Sequence, residues 1–239
     1  MSRRTLNKTR VVAVALLVAF AAFLLYQLGL FFMVLWLSLR NPSSSAFMDA
    51  TKVALQAENP KADVKYAWVP YSQINTTLKR AVIASEDANF TDHEGVEWAA
   101  IRRAWEYNRQ QSKKGKSKVR GGSTITQQLA KNIFLSDSRS YLRKGQELIL
   151  TYMIELVMSK ERILELYLNV AQWGGNVFGA QAAARHYFQT DAARLSSYQA
   201  AQLAAMLPNP AYYDKNRNTS YLRSRTATLQ HRMRLVTVP

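Results

Sequence analysis

Gly121-Gly122-Ser123-Thr124-Ile125-Thr126-Gln127-Gln128-Leu129-Ala130-Lys131-Asn132 feeds a glycine pair, hydroxyls and amides into an apolar helical pattern. A helix that starts this way presents free backbone N–H groups, which bind anions. An ordinary glycine turn with a Ser/Thr cap reads the same from this stretch alone. No Gly-Lys-Ser or Gly-Lys-Thr follows, so a nucleotide P-loop is excluded. Immediately upstream, residues 109–122 carry six cations and three glycines with almost nothing to bury, and a mobile basic loop is expected. It is either a solvated excursion or a lid that touches headgroups or phosphates.

Further upstream, Ser85-Glu86-Asp87-Ala88-Asn89-Phe90-Thr91-Asp92-His93-Glu94-Gly95 crowds four carboxylates and a histidine at the end of a helix. That helix is expected from Leu78, Val82 and Ser85 behind an Asn75-Thr76-Thr77 start. On its own the crowding is explained by a hydrogen-bonded cap and turn. A carboxylate at a helix C-terminus that is also desolvated has a raised pKa, which suits a general base, and Glu86 is the candidate. With three histidines and no cysteine in the chain, no metal site is expected from protein groups alone. A divalent ion, Mg²⁺ or Mn²⁺, shared with substrate phosphates fits an oxygen-rich site better, and no organic cofactor is expected.

Downstream, Arg139, Arg143 and Glu147 stand four residues apart, with Lys144 alongside. A surface ion-pair ladder would look identical. Leu148–Ile154, however, is apolar nearly all round and should be buried, carrying Glu147 inward with the cations at its mouth. Residues 160–169 read as a packed amphipathic helix, and 174–184 as a turn entering a small-residue helix. Both look structural. Helical spacing also appears over 95–110, 123–134, 140–157, 179–188 and 196–206, and a short strand over 64–69, so a mainly α domain is expected.

The N-terminal part differs in kind. Val11–Leu39 holds no charged residue and exceeds the about 20 apolar residues that span a bilayer. The run is too long for the apolar core of a cleaved signal, so an uncleaved anchor is expected. Arg3, Arg4, Lys8 and Arg10 precede it, which puts residues 1–10 in the cytoplasm and the rest on the far side. Residues 40–63 read as a stalk and 64–239 as one domain of ordinary size. Of 32 cations, the 28 beyond the N-terminal four face 16 carboxylates, leaving that part at +12. Such a charge seeks anionic partners, and the anchor argues against nucleic acid.

Taken in order and spacing, these segments resemble glycosyltransferase family 51, the peptidoglycan glycosyltransferases, over roughly residues 64–210. Glu86-Asp87-x-x-Phe90-x-x-His93-x-Gly95 is similar to the first motif. Gly121–Gln128 with Lys131-Asn132 is similar to the second, and Arg143-Lys144-x-x-Glu147 to the third. Lys160–Asn169 is similar to the fourth, and Phe178-Gly179-x-x-Ala182-Ala183 with Tyr187-Phe188 to the fifth. Ala171-Gln172-Trp173 and the basic insert depart from the pattern without touching its polar residues.

The resemblance implies a lysozyme-like helical domain behind one transmembrane helix, at the bacterial inner membrane with its catalytic domain periplasmic. It implies polymerisation of lipid II into β-1,4 glycan with inversion. Glu86 would be the base and Glu147 a second essential carboxylate. Lys131, Arg139, Arg143 and Lys144 would hold the diphosphate, with Ser123, Thr124, Gln127 and Gln128 lining the cleft. Asp87, Phe90, His93, Gly95, Gly122 and Asn132 would support them. Partners would be lipid II, the growing glycan, the membrane, and division or elongation proteins. The chain contains no Ser-x-x-Lys and no Lys-Thr-Gly, so the monofunctional form is expected. A lysozyme-like hydrolase or lytic transglycosylase would share the fold and a catalytic glutamate but needs neither cation cluster nor anchor. A basic scaffold would explain charge and topology but not the ordered motifs.

Overall fold

The computed structural model describes residues 3–115, 121–136, 138 and 140–239. The chain divides into two compact units, Met1–Arg40 and Asn41–Pro239. The first is one helix, α1 (Arg3–Leu39), of 37 residues. At 1.5 Å per residue it is about 55 Å long, and from Lys8 to Leu39 it is long and apolar enough to cross a membrane.

The second unit is mainly α, as expected. In chain order it comprises α2 (Ala46–Glu58), β1 (Lys65–Tyr66), α3 (Thr76–Glu86), α4 (Trp98–Lys113), α5 (Ile125–Phe134), α6 (Tyr141–Val157) and α7 (Lys160–Val170). Then follow β2 (Val177–Phe178), α8 (Ala180–Phe188), α9 (Ser197–Met206), α10 (Pro210–Lys215) and α11 (Ser220–Arg232). The strands pair in parallel, Lys65 opposite Val177. Two helix clusters make the core. α9 packs against α3 and α11, because buried Ala200, Ala201, Ala204 and Ala205 let the backbones approach. α5 packs against α6 and α7 around Leu129, Ile133, Leu150, Ile154 and Leu166. Both clusters deliver a helix end to the site: the C-terminus of α3 and the N-terminus of α5.

Four segments differ from the sequence expectation. Residues 40–63 are not a plain stalk: α2 is capped by the Ser45 hydroxyl, which accepts from Met48 N–H, and packs on α5. Its mild amphipathicity suffices once a neighbouring helix covers Met48. The strand over 64–69 shortens to two residues because a side chain takes the place of a ladder. The buried Asn169 amide donates to Val69 C=O and accepts from Val69 N–H, both at 2.9 Å. In the basic segment, α4 runs on through Lys113, while residues 116–120 lie outside the described residues. Finally, α10 and α11 carry no strong periodicity and were not expected from the sequence.

Gly179 leads into α8 with φ +82°, a region that favours glycine, and an added Cβ would sit 2.6 Å from the Asn169 carbonyl oxygen. Gly179→Ala should therefore cost about 2–4 kcal/mol, measured as a lower urea midpoint with an unchanged denaturant slope.

Candidate active site

α3 ends in Glu86 and Asp87, and a tight turn brings the chain back to Gly95. Asp87, its C-cap, is buried and accepts Ile125 N–H at 3.0 Å, the first backbone donor of α5. It also lies 2.9 Å from His93 Nε2. His93 Nδ1 accepts Gly95 N–H at 3.1 Å, so the ring is the Nε2–H tautomer and donates to Asp87. Thr124, the N-cap of α5, closes the other side: its hydroxyl donates to Gly95 C=O at 2.6 Å while accepting Gln127 N–H. The histidine turn and the glycine-hydroxyl turn are thus one hydrogen-bonded body. Thr124 and Gln127 form a reciprocal capping box and are each 2% exposed, so they cap α5 rather than line a cleft. Phe90 is fully buried beneath Lys160, whose Nζ sits 4.7 Å over its ring. Gly122 lies against Ile101 of α4, where a Cβ would meet Cα at 3.1 Å.

Glu86 faces the other way. Its Oε1 accepts from Ser85 Oγ at 2.9 Å and its Oε2 from Gln128 Nε2 at 3.1 Å. The Gln128 amide is turned this way round because its oxygen accepts from Tyr167 OH at 3.0 Å. Burial raises the Tyr167 pKa well above its ordinary value, with the negative charges of Glu86 and Asp87 adding to it, so the phenol stays a donor. Burial likewise pushes Glu86 above the usual carboxylate range. The donors Gln128 and Ser85 and the positive charge of Arg225 pull it back, and the charge of Asp87 adds to the rise. The result is a carboxylate held for ionisation yet basic, as a proton acceptor requires.

Gln128 and Tyr167 open onto a cleft of about 500 Å³, bounded by Lys131 and Asn132 of α5, Ala171-Gln172, Phe47 of α2, and residues 207–211. Lys131 Nζ lies 4.7 Å over the Phe47 ring. A second cluster sits on α6. Glu147 is 2% exposed and pairs with Arg143 at 2.6 Å and with Lys144, whose Nζ also reaches Ser123 Oγ at 3.3 Å. The expectation that Glu147 turns inward with cations at its mouth holds. The two clusters share α5: one hangs on its first turn, the other on Ser123 just before it. Arg139 lies outside the described residues.

Asp87, His93 and Glu97 have potential ligand atoms within 4.8 Å of one another. Their atoms are already engaged, however. Asp87 accepts from Ile125 and His93, His93 Nε2 carries its proton, and Glu97 Oε1 accepts from Arg103 at 2.7 Å. A metal ion here would have to displace the bonds that join the two turns.

The profile of the Transglycosylase family matches residues 52–234. This chain belongs to the transglycosylase family. It is 64% identical over 236 residues to the biosynthetic peptidoglycan transglycosylase of Bordetella pertussis, covering 99% of this chain and 98% of that one. The Bordetella avium protein of the same name is 63% identical, covering 100% and 98%. That of Laribacter hongkongensis is 52% identical, covering 92% and 94%. The family match begins inside α2, in keeping with its packing on α5.

Within this transglycosylase fold, sequence reasoning missed Arg225 beside Ser85 and Glu86. Arg225 of α11 donates from Nη2 to Ser85 Oγ at 3.0 Å, and Ser85 shares its one proton between Glu86 and Ala204 C=O, 3.1 Å away. The distance along the chain from 86 to 225 concealed the contact, and α11 is too polar to stand out in the sequence as a packed helix. Arg225→Gln removes a charge that lowers the Glu86 pKa. ¹³C-carboxyl NMR should then find Glu86 titrating at higher pH than in the wild type.

Proposed function

We propose that this protein is a peptidoglycan glycosyltransferase that polymerises a lipid-linked, diphosphate-activated disaccharide into β-1,4 glycan. The observation that carries the reading is Glu86: a desolvated carboxylate at a helix end, held by Ser85 and by Gln128, which itself lines a cleft together with Lys131. Glu86 takes the proton from the acceptor 4-hydroxyl as that oxygen attacks the donor's anomeric carbon, and the lipid diphosphate leaves from the opposite face. Attack and departure on opposite faces invert the configuration. A retaining route would need a second carboxylate as nucleophile, and Asp87, the nearest in sequence, is committed to Ile125 and His93.

Departing negative charge is met by cations: Lys131 in the cleft, and Arg143 and Lys144 on α6. Glu147 holds Arg143 and Lys144 in place, which explains a buried carboxylate near an anionic leaving group. Both its oxygens are engaged, so Mg²⁺ or Mn²⁺ would arrive on the substrate diphosphate, where its chemistry is to neutralise charge. Ser123 and Gln128 hydrogen-bond sugar or phosphate.

The substrate's polyprenyl chain stays in the bilayer, and α1 keeps the enzyme at that surface, raising its encounter with substrate. Residues 1–10 are cytoplasmic and the folded unit periplasmic. Division or elongation proteins are the partners such placement would serve. Exposed Trp98, Trp105, Tyr141 and Leu142 suit a domain working against lipid.

Glu86→Gln tests the reading with labelled lipid-linked disaccharide in detergent with Mg²⁺. Polymerisation should fall about 10²–10⁴-fold. Because the folded-state pKa of Glu86 is raised, the stability its protonated form gives is present below the unfolded value and lost as pH rises through the folded one. The glutamine variant escapes that loss, so its melting temperature at pH 7 should equal or exceed the wild type's. Release of fragments from preformed, lipid-free glycan by an enzyme that makes no polymer would instead identify a hydrolase.

A further inference from the structure

The fifth sequence motif, with Tyr187-Phe188, has no part in the chemistry above, yet it converges on a carboxylate that reaches across the cleft's boundary. Asp214 lies in α10, whose first residues, Pro210 and Ala211, form one wall of the cleft together with 207–209. Its Oδ2 accepts Gly175 N–H at 2.9 Å, and its Oδ1 accepts from Tyr187 OH at 2.9 Å and from His186 Nε2 at 3.3 Å. Gly175 belongs to the turn that starts at Gln172, and Ala171-Gln172 line the same cleft. Tyr187 OH also lies 2.9 Å from Trp173 C=O, and Gln172 Nε2 donates to Gly175 C=O at 3.2 Å. One carboxylate therefore links the wall 207–211 to the wall 171–172.

The linkage is built to be tight. A Cβ on Gly174 would crowd Tyr187 OH and sit 2.9 Å from Asp214 Oδ2, so a side chain there would push the pair from its present place. His186 Nδ1 accepts from Lys65 Nζ at 3.2 Å, which fixes the ring as the Nε2–H tautomer and aims that proton at Asp214. Burial alone would raise the Asp214 pKa, but donors from Gly175, Tyr187 and His186 hold it below its ordinary value. Burial and Asp214 keep Tyr187 protonated, hence always a donor.

Gln172 and Gly175 also border a second groove, of about 420 Å³, along α2 from Phe47 to Glu58, so the clamped turn lies between the two spaces. Phe47 and Gln172 line both. An enzyme that adds sugars to a chain it does not release needs a groove of fixed width beyond the reacting bond, and a side chain that spans the groove's walls without entering it sets that width.

We propose that Asp214, with Tyr187, is a positioning residue that fixes the distance between these walls and thereby governs how the growing glycan is held. The inference rests on the glycosyltransferase reading. The test measures KM, kcat and product-length distribution with labelled lipid-linked disaccharide for wild type, Asp214→Ala and Tyr187→Phe, with thermal melts alongside. Asp214→Ala should raise KM by roughly tenfold and shorten the glycan ladder, with kcat within about twofold. Tyr187→Phe, which keeps the ring and removes one contact, should shift both in the same direction by less. Shorter products at unchanged melting temperature in either variant would mark positioning apart from stability. Lower melting temperatures with wild-type KM and ladder would overturn the inference and leave the clamp purely structural. If Asp214→Ala does not fold, Tyr187→Phe alone decides on the same criteria. An inactive wild type would instead sink the parent reading.

Discussion

Asp87 is the constraint on which the site depends. A buried carboxylate is costly unless its lone pairs are taken, and here the first N–H of α5 and the Nε2–H of His93 take them. Each bond also fixes something else. The Ile125 contact aligns α5 with the C-terminus of α3, and the helix N-terminus favours the charge it receives. The His93 contact sets the ring's tautomer, which frees Nδ1 to accept Gly95 N–H, and Gly95 C=O then receives Thr124. A closed circuit of hydrogen bonds results, joining segments some thirty residues apart in sequence. Glu86 is positioned because its neighbour is committed.

The same arrangement separates two adjacent carboxylates by role. Asp87 is surrounded by donors and anchors the fold. Glu86 accepts from Ser85 and Gln128 in a desolvated position, and burial raises its pKa. The unfavourable cost of ionising Glu86 is local, and the packing of α9 against α3 and α11 supports it. Glu147 shows a third solution, a buried carboxylate neutralised by two cations on its own helix. The glycine positions serve the same end from the backbone side. Gly95 has φ +82°, and a Cβ there would strike Glu155 and Thr151 at 2.7 Å, so the turn closes only without a side chain.

Much of this was legible in the chain. Periodicity identified α3, α5, α6, α7, α8 and α9 to within a few residues because each buries a continuous apolar stripe against a neighbour. The helix at α2 was read as stalk because its stripe is weak and its partner, α5, is distant in sequence. α10 is short and α11 mostly polar, so neither announced itself. Thr124 and Gln127 look like ligand-binding groups in the sequence; only the geometry separates their capping role from that of Gln128, one residue on, which turns toward Glu86.

The sequence by itself determined the class: one long apolar helix, a mainly α domain, excess positive charge, and polar residues in the order and spacing of a transglycosylase. These follow from local chemistry, since helix periodicity, caps and motif spacing are properties of neighbouring residues. The tertiary structure decided which polar residue does which task. Arg225 meets Ser85 across 140 positions, and Asp214 meets Gly175 across 39. Those pairings exist because helices chosen for their apolar faces pack in one arrangement, and a hydrogen bond or a shifted pKa depends on the distance and burial that arrangement sets rather than on the residues alone.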